Sequence, residues 1–310
     1  MRRSTALRAA AGAVLAAGIA APIVRRRLRL PPPVVLTAAW SAPVALCVLV
    51  PRSRARDVGA CVLQMIAYIA AYEIPNDDPE ALKRRVRIAY PVKVDRAIGL
   101  GVTPTLRLQR ALGEPGRFKA WEKVLVWSHW LWFTFPHGTA AYVLLRHPER
   151  FAAAAAQIYA TFDIGVTAYW VIPTAPPWYA ARAGLMEDGR TPELRRMMVE
   201  YGEQFWRHRW TPLYGVLGGN PLAAMPSLHF ATSVTAARVL AGTGRAAGVF
   251  GWAYTATLGL ALVYLGEHYV VDLAVGGALA EAVRRGAPRA APHLRRVSRA
   301  VQALESAARR

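Results

Sequence analysis

Acidic residues are scarce in this 310-residue chain: 19 Asp and Glu stand against 39 Lys and Arg, a formal net charge of +20. Charge of either sign is sparse as well, at 19% of positions, where soluble domains carry about a quarter. Disorder is excluded, because a chain that is 54% hydrophobic can bury ample surface. Cysteine is nearly absent. Cys47 and Cys61 both fall in apolar stretches, which leaves no disulfide framework and no cysteine-based zinc cluster. The chain has no HExxH or comparable ligand spacing. Nor does it have a helix-turn-helix, finger or RNA-binding signature that would direct its basicity to nucleic acid. The cations lie instead between apolar runs, at 25–29, 52–56, 83–96 and 284–310. That is the layout of loops meeting anionic lipid headgroups.

Crossing the hydrocarbon of a bilayer takes about 20 mostly apolar residues. Such runs occur at 6–24, 33–50, 58–74, 124–145, 151–172, 226–242, 246–265 and 268–284. Inside a membrane each must be helical to satisfy its own backbone. The first run, behind Arg2 and Arg3, imitates a signal peptide, but another apolar run follows after a short basic spacer. It reads as a retained helix or a membrane-surface helix. The expected fold is therefore all-α, a polytopic integral membrane protein with a six-helix core and one or two added N-terminal helices. Its expected domains are N-terminal membrane helices over 1–57, a six-helix catalytic domain over 58–285 and a basic C-terminal tail over 286–310.

Two polar insertions, 75–123 and 173–225, interrupt the helices at the interface. Within the first, 96–112 suits an amphipathic helix along the membrane surface. In the second, Trp178, Trp206 and Trp210 suit a headgroup-level belt. Short loops and the tail concentrate arginine on one side, which makes that side cytoplasmic. The expected location is the plasma membrane, with the active site facing the extracytoplasmic side.

Alternating helix direction brings three junctions to that one face. They are Pro173-Thr174-Ala175-Pro176-Pro177-Trp178, then Met225-Pro226-Ser227-Leu228-His229, then the turn from Tyr264 to Asp272. Pro226 suits a first helical position, which puts Ser227 and His229 in the first turn. Free N–H groups and the helix dipole attract phosphate there. His268 and Asp272, four apart, share a helix face. A carboxylate on Nδ1–H would fix the tautomer and leave Nε2 with an outward lone pair, as a nucleophile or base requires. Two other readings use the same residues: a buried His–Asp pair that only holds helices together, and a metal site drawing on His229, His268, Asp272 and Glu267. Asp163 suits either a bond to a hydroxylated headgroup or a helix partner. His129 and His137 read as packing, Gly276-Gly277 as close helix contact, and Arg238 as an intramembrane partner for a carboxylate.

Met225-Pro226-Ser227-Leu228-His229 resembles the Pro-Ser-x-His motif of the type 2 phosphatidic acid phosphatase superfamily. The stretch from Tyr264 to Asp272 resembles its His-x3-Asp motif, and Pro173 to Trp178 occupies the place of its first signature. The resemblance covers 151–285. The superfamily's Lys-x6-Arg-Pro has no counterpart, since 166–178 contains neither Lys nor Arg, and Ala261-Leu262 stand in place of Ser-Arg. Both losses, with Pro-Ser-Leu-His, resemble the inositol phosphorylceramide synthase branch, whose members transfer a phosphorylated headgroup between lipids. Asp95-Arg96, Thr103-Pro104-Thr105 and Leu108-Gln109 resemble that branch more loosely.

The resemblance implies a phosphatidic acid phosphatase-like core and a metal-independent, cofactor-free lipid phosphatase or phosphotransferase. Its substrate would be a membrane phospholipid or polyprenyl phosphate, and the branch suggests a phosphoinositol-type headgroup as the group transferred. His268 would form a phosphohistidine, and Asp272 would stabilise its imidazolium. His229 would protonate the leaving oxygen and then activate the acceptor. The missing cations need substitutes: the helix start at Pro226 and Ser227, and Arg182, Arg207 or Arg209 from the preceding loop. Pro177, Trp178 and Asp163 complete the expected substrate contacts. A plain lipid phosphatase and a non-catalytic lipid-binding membrane protein are the alternatives.

Overall fold

A computed structural model of the chain describes residues 2–114, 116–186, 194–217 and 219–310. Among them the regular structure is helical, as expected. The first helices are α1 (Arg2–Leu28), α2 (Pro32–Leu49) and α3 (Arg54–Glu73). Three short helices follow: α4 (Pro79–Arg85), α5 (Ala89–Ile98) and α6 (Pro104–Leu112). Then come α7 (Ala120–Leu131), α8 (Phe135–Arg146) and α9 (Pro148–Val171). A second set of short helices comprises α10 (Pro177–Arg182), α11 (Met197–Trp206) and α12 (Trp210–Leu217). The chain ends in α13 (Leu228–Ala241), α14 (Arg245–Tyr264) and α15 (Val270–Arg309). Four segments are long and apolar enough to cross a membrane: Ser4–Leu28, Pro32–Leu49, Arg54–Asp77 and Arg245–Tyr264. These are the attributes of an integral membrane protein.

Contacts divide the chain into two units, Met1–Asp77 with Arg285–Arg310, and Asp78–Arg284. In the first, α3 packs with α1 and α2, whereas the sequence reading put 58–74 with the catalytic helices. Prolines 31–33 open α2, where a missing N–H costs nothing, and the Ser53 hydroxyl caps α3 by accepting the Arg56 N–H at 3.2 Å. Arg25 near the end of α1 pairs with Glu73 at 2.8 Å and Asp77 at 2.9 Å. Residues 286–310, expected as a tail, are the continuation of α15, a 40-residue helix. Apolar residues at 294, 297, 301, 304 and 308 recur at helical spacing. Ala308 is buried with Ala11, Ala45 and Val48, and Glu305 accepts from the Arg56 guanidinium at 3.1 Å.

In the second unit, α9, α13 and α14 agree with the expected runs 151–172, 226–242 and 246–265. The expected run 124–145 is two helices. Trp132, Phe133 and Thr134 turn between α7 and α8, because Pro136 in the first turn of α8 cannot continue the hydrogen bonding of a helix before it. Small residues let α13 and α14 approach: Ala237 faces Gly251 and Ala241 faces Gly248. Arg238 does find a carboxylate, pairing with Glu281 on α15.

The insertions are packed layers. Instead of one surface helix over 96–112, α5 and α6 are separated by a turn in which Leu100 and Gly101 take positive φ (54° and 100°). Thr103, Thr105 and Leu106 are buried there. Trp210 is buried rather than belted at an interface, packing with Trp130 and Tyr201, and Trp206 packs against the same cluster. Gly202 admits it, since a Cβ at that position would lie 2.5 Å from the Trp210 ring.

Candidate active site

Three junctions meet in the second unit, as alternating helix direction requires. After α9, Thr174 sits between two neighbouring segments. Arg87 donates its N–H to the Pro173 carbonyl at 2.8 Å, and Thr174 donates to Leu222 at 3.1 Å. The Trp178 N–H donates to the Gly266 carbonyl at 3.3 Å, and Gly266 holds a left-handed φ of 85° that a side chain would resist.

The start of α13 differs by one step from its reading in the sequence. Ser227 is the N-cap, its hydroxyl accepting the Phe230 N–H at 3.3 Å, so Pro226 precedes the helix and His229 is its second residue. The Tyr169 hydroxyl on α9 donates to the Pro226 carbonyl at 2.8 Å. The Ser227 N–H donates to the Asp272 backbone carbonyl at 3.0 Å, which joins the starts of α13 and α15. Gly276 makes that approach feasible: a Cβ there would stand 2.6 Å from the Ser227 carbonyl oxygen.

These contacts bring the two histidines together. His268 Nδ1 lies 3.3 Å from Asp272 Oδ2, which also accepts the Tyr269 N–H at 2.9 Å. A carboxylate only accepts, so Nδ1 of His268 carries its proton and Nε2 holds a lone pair. That Nε2 lies 3.2 Å from His229 Nδ1, whose N–H therefore points at it. His268, Asp272 and Ser227 are all buried. Among the described residues, no three His, Cys, Asp or Glu side chains gather in a metal-ligating cluster.

Supports of this site come from residues far away in the chain. Asp95 on α5 accepts the N–H groups of Val270 at 2.9 Å and Val271 at 3.0 Å, two of the donors that the first turn of α15 leaves open. Burial raises its carboxyl above the ordinary range, against the pull of those two donors. Tyr90, also on α5, has its hydroxyl 2.9 Å from Thr174 Oγ1, and burial raises its ionisation above the ordinary value. Gln109 on α6 donates to the carbonyls of Tyr264 at 2.7 Å and Arg195 at 2.9 Å. The resemblance had pointed at Asp95 and Gln109 without a role.

His129 does pack, but against the site: its ring stacks on His229 with centroids 4.9 Å apart. Trp132 packs on His229 as well, with ring centroids 4.1 Å apart, and its indole donates to Thr232 Oγ1 at 2.9 Å. No spacing pattern could reveal Trp132, because its place depends on the break between α7 and α8. His137 stacks on Phe162 at 5.7 Å, as a packing residue.

The expected substrate residues are distributed unevenly. Pro177 is buried at the first position of α10, and Trp178 follows it, half-buried. Asp163 is half-buried on α9, about 9 Å along the helix axis before Tyr169. Arg182 is exposed, its Cζ 5.5 Å from the Trp178 ring. Arg207 and Arg209 are exposed on the 3-10 turn Arg207–Arg209, and among the described residues neither bonds to a site residue. Arg196, absent from the sequence reading, is the arginine held at the junction. It donates to Glu267 at 3.0 Å and to the Tyr214 hydroxyl at 2.7 Å, with Cζ 3.9 Å from the Trp178 ring centre.

Helices able to cross a membrane, together with a buried pair of histidines backed by a carboxylate, define an integral membrane protein with a polar site at its helix ends. Residues 92–284 match the family model of the PAP2 superfamily, and the chain belongs to that superfamily. The phosphoinositol dihydroceramide synthase of Bacteroides thetaiotaomicron is 32% identical over 125 residues, covering 36% of this chain and 37% of that protein. The chain thus matches little more than a third of that relative's length. The resemblance to the superfamily and to the synthase branch holds. No solved structure matches the chain.

Proposed function

We propose that the protein transfers the phosphorylated headgroup of a membrane lipid to an acceptor hydroxyl, through a phosphohistidine on His268. One observation carries this reading: the 3.2 Å contact between His268 Nε2 and His229 Nδ1, with Asp272 behind the first ring. In the first half-reaction the Nε2 lone pair attacks phosphorus and the bond to the leaving oxygen breaks. His229, entering the step as an imidazolium, gives that oxygen its proton and is left neutral, while Asp272 stabilises the positive charge that forms on the His268 ring. In the second, His229 takes the proton of the acceptor hydroxyl, whose oxygen attacks phosphorus and releases His268. Proton transfer of this kind contributes about 10²–10⁴-fold. No metal or cofactor enters either step. The first turn of α13, which Ser227 caps, offers partial positive charge to the phosphate.

The relative's printed name supports a phosphoinositol-type headgroup and a sphingolipid acceptor. The arginine distribution supports an active site on the extracytoplasmic face of the plasma membrane. Hydrolysis uses the same first half-reaction with water as acceptor. Purified protein incubated with phospholipids, phosphatidylinositol and polyprenyl phosphates, with and without ceramide, separates the outcomes by mass spectrometry. A new phosphodiester supports transfer. A free phosphorylated headgroup, or free phosphate from a monoester, without a new lipid replaces transfer with hydrolysis, and unchanged lipids contradict both.

A further inference from the structure

Phosphoryl transfer depends on cations that neutralise the non-bridging oxygens. The chain has none at the superfamily's usual positions, because 166–178 is free of Lys and Arg and Ala261-Leu262 replace Ser-Arg. Arg196 precedes α11 in sequence, in a loop that sequence patterning did not single out. Its side chain is only 20% exposed. Nε lies 3.0 Å from Glu267 Oε1, and Nη2 lies 3.3 Å from Glu267 Oε2 and 2.7 Å from the Tyr214 hydroxyl. The guanidinium plane sits over Trp178. Glu267 is the neighbour of His268 in the chain, and Trp178 is bonded through its backbone to Gly266. Arg196 and Glu267 are both within electrostatic reach of His129, which stacks on His229.

Four contacts, three hydrogen bonds and the Trp178 ring, fix the plane of a group that is usually mobile. Nε and Nη2 are committed, while Nη1 makes no hydrogen bond among the described residues. A fixed, largely desolvated guanidinium with one nitrogen open suits a phosphate oxygen, which it meets without reorganising. We propose that Arg196 binds the substrate phosphate through Nη1, as the cation that replaces those missing from the superfamily pattern. Glu267 and Tyr214 orient it, and the Trp178 ring packs against it. This assignment rests on the phosphoryl-transfer reading of His268 and His229. Its ligand is a phosphate oxyanion, either on a lipid headgroup or free.

The test titrates full-length protein in detergent with inorganic phosphate and, separately, with short-chain phosphatidate, following ³¹P line broadening. R196Q should weaken both by roughly ten- to hundredfold, the scale of a charge-assisted hydrogen bond. R196K, which keeps charge but loses the fork, should fall between R196Q and wild type. E267Q should weaken binding clearly less than R196Q does, because the guanidinium stays although one of its orienting partners is changed. Loss for phosphatidate alone assigns Arg196 to the lipid headgroup, and loss for both assigns it to the phosphate wherever it is carried. R207Q/R209Q controls for diffuse attraction to a basic protein and should match wild type. Equal weakening in E267Q and R196Q would reduce Arg196 to an ion-pair brace and overturn the proposal, as would unchanged binding in R196Q. If wild type forms no phosphoenzyme while R196Q still loses phosphate, the catalytic reading fails and the binding assignment survives.

Discussion

Helices α1 to α3 and the junctions around His268 are built by opposite means. The first group buries small apolar residues such as Val35, Ala39, Ala42, Ala67 and Ala71, and each helix packs on neighbours adjacent in sequence. The junctions are joined by polar side chains reaching backbone groups far along the chain: Asp95 to Val270 across 175 residues, and Gln109 to Tyr264 across 155. A hydrophobic interface loses strength gradually as methylenes are removed. A buried polar link fails abruptly, because its partner is left without a bond. Substitutions in the two regions should therefore differ in both size and kind.

The largest effect is expected at His268. H268A should reduce lipid turnover to background without changing helical content, and H229A should reduce it by about 10²–10⁴-fold. Turnover in H268A above the uncatalysed rate would remove the nucleophile from the scheme. Next comes the contact between α13 and α15. G276V should destabilise by about 1–3 kcal/mol, since its Cβ meets the Ser227 carbonyl, with a lower Tm and lost turnover. The contrasting substitution V62A, at a half-exposed position of α3, should stay within about 0.5 kcal/mol. Equal shifts in Tm would erase the distinction between the regions.

D95A tests the long-range link itself. It leaves the Val270 and Val271 N–H groups without their acceptor, a cost of about 1–3 kcal/mol. Turnover should fall more than substrate affinity, because the loss displaces His268 rather than a substrate contact, and D95N should rescue part of it. A smaller effect concerns pH. Burial raises the Asp95 carboxyl above its ordinary 3.8, so ionisation favours the unfolded chain. The stability of wild type relative to D95N should be greatest at low pH and decline as pH rises from about 3.8 through the raised folded value. Parallel unfolding curves for the two proteins would contradict it. The smallest effect is none: chelation with EDTA should leave turnover unchanged, and its loss would call for a metal that the scheme does not use.

Legibility in the sequence follows the same division. Hydropathy located α2, α9, α13 and α14 to within a few residues, because local composition suffices for a helix that buries one apolar face. The pairing of His268 with Asp272 was readable from their spacing of four, and the meeting of three junctions from the alternation of helices. The break before α8 escaped because the run 124–145 stays apolar throughout, and one proline decides it. The helical tail escaped because arginine dominates its composition, while a thin stripe of Leu, Val and Ala carries its packing. Arg196 escaped for a different reason. Nothing near it in sequence separates it from Arg182, Arg207 or Arg209, and only the approach of Glu267, Tyr214 and Trp178 sets it apart. Asp95 was visible as a resemblance, but its role as a cap for another helix needs the fold.

The most direct test of the central proposal is to trap the covalent intermediate. Protein mixed briefly with lipid labelled with ³²P in the headgroup phosphate, then denatured at alkaline pH, should retain label that acid releases, as a phosphoramidate does. The label should map to a peptide containing His268 and vanish in H268A. Label that survives acid, or that persists in H268A, would contradict a phosphohistidine at this position.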